Sequence, residues 1–153
     1  MEEHQVVEGG EVSRALYVAD ASVFASIIVK DEFHERATDF VRRYSGRLAT
    51  LDLAVVEVAN ALWRHARLLG RIPGDRYEKL SRNIKPLVLG AARLYPAAEF
   101  LEAASSAAYE YSITVYDALY VALAQHLECR LASFDGELKR RLENAGVIIV
   151  EAP

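Results

Sequence analysis

Apolar positions along the chain fall into two patterns: short unbroken runs, as in buried strands, and stretches with a period near 3.6, as in amphipathic helices. LYVA (16–19), RLAT (47–50), ARLY (92–95), CRLASF (129–134) and VIIV (147–150) read as strands. SVFASIIV (22–29) and FHERATDFVRRY (33–44) carry helical spacing, the second with Phe33, Ala37, Phe40 and Tyr44 in register. A long helix is predicted over 51–70, with Gly70 and Pro73 as stop signals, and another over 75–90 with a kink at Pro86. Further helices are predicted over 96–111, opening on a proline, over 114–128, and over 136–146, closed by Gly146.

Strands that alternate with helices imply right-handed crossovers and a parallel sheet covered on both faces. The expected fold class is therefore α/β, three layers around a central parallel sheet of about five short strands. No repeat or linker interrupts the pattern, so residues 15–153 are expected to form a single domain. Residues 1–14 carry Glu2, Glu3, Glu8 and Glu11 against Arg14 and read as an acidic, flexible head.

Composition narrows the class. With 52% hydrophobic residues and only 8 Gly and 4 Pro in 153 positions, a disordered or collagenous chain is excluded. A single cysteine, Cys129, allows no internal disulfide and reads as a small apolar residue on a strand, which suits an intracellular, cytoplasmic protein. The polar opening does not resemble a signal peptide, and no apolar run is long enough for a membrane span. The net charge of −4 hides a basic stretch at 64–85, where Arg64, Arg67, Arg71, Arg76, Lys79, Arg82 and Lys85 face only Asp75 and Glu78. Such a stretch suits a polyanion, and equally a solvated helix face.

Several chemistries are missing. There is no glycine-rich dinucleotide or P-loop motif and no nucleophile elbow. His4, His34, His65 and His126 have no metal-ligand spacing.

Four carboxylates stand where they are costly. Asp20 ends the first strand, Asp135 ends LASF, Glu57 is the sole charge in LAVVEVANALW (53–63), and Asp117 is the sole formal charge between Tyr111 and Leu127. An isolated carboxylate in apolar surroundings must be paired, protonated or bound to a cation. Each also has a structural explanation: Asp20 and Asp135 as helix N-caps, Thr114-x-x-Asp117 as a capping box, Glu57 as a partner of Arg64. The topology links them, because strand C-termini and the helix starts that follow share the edge where open α/β sheets bind ligands. Oxygen-only donors with no His or Cys suit Mg²⁺ or Mn²⁺. Without these four, acids and bases balance at 18 each, so a cation-loaded site need not repel a polyanion. The substrate-binding candidates are Arg42, Arg43, Arg47, Arg64 and Arg67.

At these residues the chain resembles the PIN-domain family, in particular the small VapC-like toxins of prokaryotic toxin–antitoxin pairs. The matching blocks are YVADASVF (17–24), VVEVANALWR (55–64), ITVYDALYVALA (113–124) and LASFDGELKRRL (131–142), in the family's order. The resemblance implies a Rossmann-like PIN fold and a Mg²⁺-dependent endoribonuclease that also accepts Mn²⁺. It implies Asp20, Glu57, Asp117 and Asp135 as metal-binding acids, with Ser22 and Ser133 as polar support. Asn60, one turn from Glu57, reads as a substrate or carboxylate partner and equally as a buried amide. An RNA substrate, a cognate antitoxin protein and a homodimer follow as expected partners. The alternatives are a PIN nuclease of RNA maturation or DNA, a non-catalytic PIN-like binding module, and a receiver-like domain; the last lacks its usual acid pair and late lysine.

Overall fold

The computed structural model describes residues 14–153, so the head expected over 1–14 lies, apart from Arg14, outside the described residues. Five strands form one sheet: β1 (Tyr17–Ala19), β2 (Leu48–Leu51), β3 (Arg93–Tyr95), β4 (Arg130–Ala132) and β5 (Val150–Glu151). All four pairings are parallel, in the order β3-β2-β1-β4-β5. Seven α-helices connect them: α1 (Ala21–Val29), α2 (His34–Arg43), α3 (Leu53–Trp63), α4 (Gly74–Ala91), α5 (Leu101–Tyr111), α6 (Val115–His126) and α7 (Gly136–Asn144).

Alternation along the strands produces the layers. Val18 joins Leu131 and Val150 in a core with α5, α6 and α7, while its neighbour Ala19 joins Leu48 and Ala132 in a second core with α1 to α4. The chain winds outward from β1 to β3 with its helices on one face, then returns to β4 and β5 with its helices on the other. That is the outcome right-handed crossovers require. It confirms the expected three-layer α/β class.

The differences from expectation lie at element ends. Leu51 pairs with Tyr95 and belongs to β2, not to the helix. The expected 51–70 helix is α3 followed by a π-helical turn over Arg64–Leu68, where the Leu69 N–H reaches the Arg64 carbonyl five residues back. A 3₁₀ turn over Ala97–Phe100 precedes α5. α4 is continuous through Pro86. β5 begins at Val150 instead of Val147, because the Val147 N–H is spent on the Leu142 carbonyl at the end of α7 (2.8 Å). No helix among the described residues is long and apolar enough to cross a membrane.

Candidate active site

β1 sits between β2, its successor, and β4, so the strand order reverses at β1 and opens a crevice beyond the strand C-termini. Asp20 occupies that point. Its N–H donates to the Ala132 carbonyl (3.1 Å), which fastens the end of β1 to β4, and the Thr50 hydroxyl donates to the Ala19 carbonyl from β2 (2.7 Å). The Asp20 carboxylate caps α1, accepting from the Ser22 N–H (2.9 Å) and the Ser22 hydroxyl. It is only 7% exposed. Burial pushes its pKa up to about 7, hydrogen bonds from Ser133 and Ser22 oppose the rise, and the charge of Asp117 adds to it.

Asp135 lies three residues beyond β4 and caps α7, with Oδ1 accepting from the N–H groups of Glu137 and Leu138 (3.0 Å each). The buried Ser133 accepts from the Asp135 N–H (3.0 Å) and so sets the turn between strand and helix. Asp117 reaches the same edge from α6. Ser112, at φ 55, ends α5 in the left-handed region, its carbonyl held by Arg141 (2.7 Å), and two residues later Thr114 caps α6. Thr114 Oγ1 accepts from the Asp117 N–H (3.1 Å), and the Thr114 side chain also hydrogen-bonds the Asp117 carboxylate, which lowers its pKa against the effect of burial. The cap holds the start of α6, and the Asp117 carboxylate lines the crevice. Burial raises its pKa, and Asp135 raises it further.

Glu57 enters from α3. It makes no ion pair with Arg64; the Tyr120 hydroxyl donates to its Oε1 (2.6 Å) instead. Burial raises the Glu57 pKa, the Tyr120 bond opposes that, and Asp117 adds to it.

The four acids line one cleft of about 750 Å³. Ser22, Asn60, Arg64, Tyr116 and Tyr120 line it with them, and Arg64 is its sole cationic side chain among the described residues. Asn60 is exposed there, not a buried amide, and Ser133 lies beneath the cleft, within hydrogen-bonding reach of Asp20. Arg67 falls in the π-helical turn, outside the cleft lining. The structure does not bring Arg42, Arg43 or Arg47 to the site. α2 ends at Arg43 and Arg47 precedes β2, which puts all three at the opposite, N-terminal edge of the sheet. Their place in the chain, between the end of a helix and the start of a strand, dictates that edge. Sequence reading passed over Tyr120 and Tyr116; the signal for Tyr120 is a polar ring one helical turn beyond Asp117 in an otherwise apolar run.

The donor set suits a hard divalent cation, because the acids raise one another's pKa and lack compensating bases. As the side chains stand, however, no group of three or more His, Cys, Asp or Glu among the described residues is arranged to hold a metal ion. Asp20, Glu57 and Asp135 each accept a hydrogen bond from a neighbouring donor, Asp20 and Asp135 at Oδ1 and Glu57 at Oε1.

Comparison with known proteins gives a consistent family. The PIN-domain pattern matches residues 17–142. Ribonuclease VapC3 of Pyrobaculum aerophilum is 37% identical over 124 residues, 81% of this chain and 92% of that protein. The crystal structure of Mycobacterium tuberculosis VapC20, described as a sarcin–ricin loop cleaving toxin, superposes with a TM-score of 0.68 at 17% identity, covering 90% of this chain and 99% of the other. A toxin–antitoxin complex from Klebsiella pneumoniae contains a chain with a TM-score of 0.63 at 14% identity, over 90% of this chain and 97% of that one. A fold that reverses strand order beneath a cleft of acids, and a sequence pattern spanning nearly all of it, agree: the chain belongs to the PIN-domain family.

Proposed function

We propose that the chain is a VapC-type ribonuclease, the toxin of a toxin–antitoxin pair, and that it hydrolyses RNA phosphodiester bonds with Mg²⁺ or Mn²⁺. The observation that carries the reading is the lining of one cleft by Asp20, Glu57, Asp117 and Asp135 in a PIN-domain chain. The 37% identity to a ribonuclease over most of both chains supports the activity.

Asp20 and Asp117 would be the principal ligands, with Glu57 and Asp135 completing the set. A divalent cation supplies Lewis acidity there, lowering the pKa of a water and neutralising charge on the phosphate. Glu57, whose pKa burial has raised, is the base suited to take the proton of the attacking water. Arg64, on the cleft wall, offers a planar fork of donors to a phosphate oxygen. Asn60, exposed on the same cleft wall, offers an amide for ribose or phosphate oxygens. Ser22 and Ser133 restrain the Asp20 carboxylate.

The reading includes an antitoxin and a homodimer. Val56, Trp63 and Leu68 are 66%, 43% and 63% exposed along α3 and its π-helical extension. That leaves an apolar stripe beside the cleft, suited to an amphipathic segment of a partner. Incubation of the purified chain with RNA in Mg²⁺ or Mn²⁺, and in EDTA, tests the activity. Cleavage confined to the metal-containing samples is expected; RNA left whole in both, or cut in both, rejects it.

A further inference from the structure

Tyr120 is 2% exposed and lines the cleft, and a hydroxyl on so buried a ring calls for a partner. That partner is Glu57, whose Oε1 accepts the O–H at 2.6 Å across 63 positions of sequence. The bond joins α6 on one face of the sheet to α3 on the other, at the edge where the two layers meet. The charges of Asp20 and Asp117 also act on this hydroxyl, which places it among three of the four acids. Glu57 has no other hydrogen bond and no ion pair among the described residues. One neutral donor therefore sets the direction of a half-buried carboxylate, and it engages Oε1 alone. A hydrogen bond to a charged acceptor is about twice as strong as a neutral one.

We infer that Tyr120 is a positioning residue, whose hydroxyl holds Glu57 through Oε1 and turns its other oxygen to the cleft. The inference rests on the nuclease reading of the site, since it assigns Tyr120 a part in presenting Glu57 to the cation and the attacking water. It separates from a packing role because the phenol ring and its hydroxyl can be dissected. Tyr120→Phe keeps the ring that fills the core and removes only the donor. Helices that carry a carboxylate into a metal site need such a restraint, because a freely rotating glutamate dilutes the productive orientation.

The test is a double-mutant cycle on the full chain with Tyr120→Phe, Glu57→Gln and the pair, read by Mn²⁺ calorimetry and by cleavage of an RNA oligonucleotide. Tyr120→Phe should weaken Mn²⁺ binding about 10-fold and lower kcat by a similar factor. KM should stay within about twofold, as for a group that acts on the reacting centre and not on ground-state binding. In the Glu57→Gln background the same substitution should change Mn²⁺ affinity very little, because the two residues act as one unit. Wild-type Mn²⁺ affinity in Tyr120→Phe, or a loss that persists undiminished in the Glu57→Gln background, overturns the inference. Asp117→Asn in the same series judges the nuclease reading separately: if it cleaves like the wild type, that reading fails whatever Tyr120 does.

Discussion

The Ser22 hydroxyl joins two strand ends: it donates to the Asp20 carboxylate and accepts the Phe134 N–H at 3.0 Å. Through this one oxygen the cap of α1 is tied to the loop that leaves β4 and carries Asp135. On its far side that loop is braced by the Phe134 ring, stacked on Phe33 with centroids 4.5 Å apart. The acids at the crevice therefore come from separate segments whose backbones are fastened together independently of any ligand.

Ser22→Ala should accordingly destabilise the chain by about 1–2 kcal/mol, since it leaves the Phe134 N–H without its acceptor. It should also move the Asp20 pKa further up, because the lost hydrogen bond is one that lowers it. Urea denaturation and carboxyl titration by NMR read the two effects. A variant as stable as wild type with an unmoved Asp20 pKa would show that the bridge carries no energy.

The metal-free chain should lose stability as pH rises toward neutrality. Asp20 has a folded-state pKa of about 7 against an ordinary 3.8, so the folded chain binds this proton more tightly than the unfolded one. Its contribution is fully present below about pH 4 and is lost as pH rises through about 7. Thermal melts in EDTA should show a declining Tm across that window, and Asp20→Asn should flatten the decline. Parallel profiles for the two proteins would mean that Asp20 titrates normally.

Much of this was legible in the sequence, and the limits have physical causes. Buried strands such as RLAT and helices with strong periodicity announce themselves, and so do acids isolated in apolar runs. The lines between elements do not: Leu51 fits a strand or a helix equally until Tyr95 pairs with it. The N-cap explanations for Asp20 and Asp135 proved compatible with a cleft position, because a helix start after a parallel strand lies at the ligand-binding edge. Local sequence offered Arg64 as the partner of Glu57, and the structure puts Tyr120 there instead. Tyr120 lies 63 positions away, and only the fold, which brings the ends of α6 and α3 to one edge of the sheet from opposite faces, places it there.

Geometry also divides the arginines that sequence had grouped. Arg64→Glu, in a cleavage-deficient background, should weaken RNA binding and reduce the salt slope by about one unit. Reversing Arg42 and Arg43 together, at the far edge of the sheet, should cost less than Arg64→Glu alone. Fluorescence anisotropy with labelled RNA over a salt series makes the comparison. A larger loss from the Arg42 and Arg43 pair would move the RNA path away from the cleft.

The apolar stripe beside the cleft offers a separate test of control. Trp63→Asp should lower the Tm only modestly, because Trp63 belongs to neither apolar core. It should weaken binding of the proposed antitoxin about 30-fold or more, as for an aromatic anchor worth about 2 kcal/mol. Calorimetry with the co-expressed partner measures it, and undiminished affinity would place the partner on another surface.

Cleavage by the wild type and Asp117→Asn, purified side by side and assayed on one RNA in Mn²⁺, tests the central claim most directly. The Asp117 carboxylate lines the cleft with the other acids and its N–H, which the substitution keeps, carries the Thr114 cap, so Asp117→Asn removes a proposed ligand while sparing the start of α6. The account predicts matched melting curves and a loss of cleavage of about 100-fold or more, the scale of a catalytic group. Full cleavage by Asp117→Asn would contradict it.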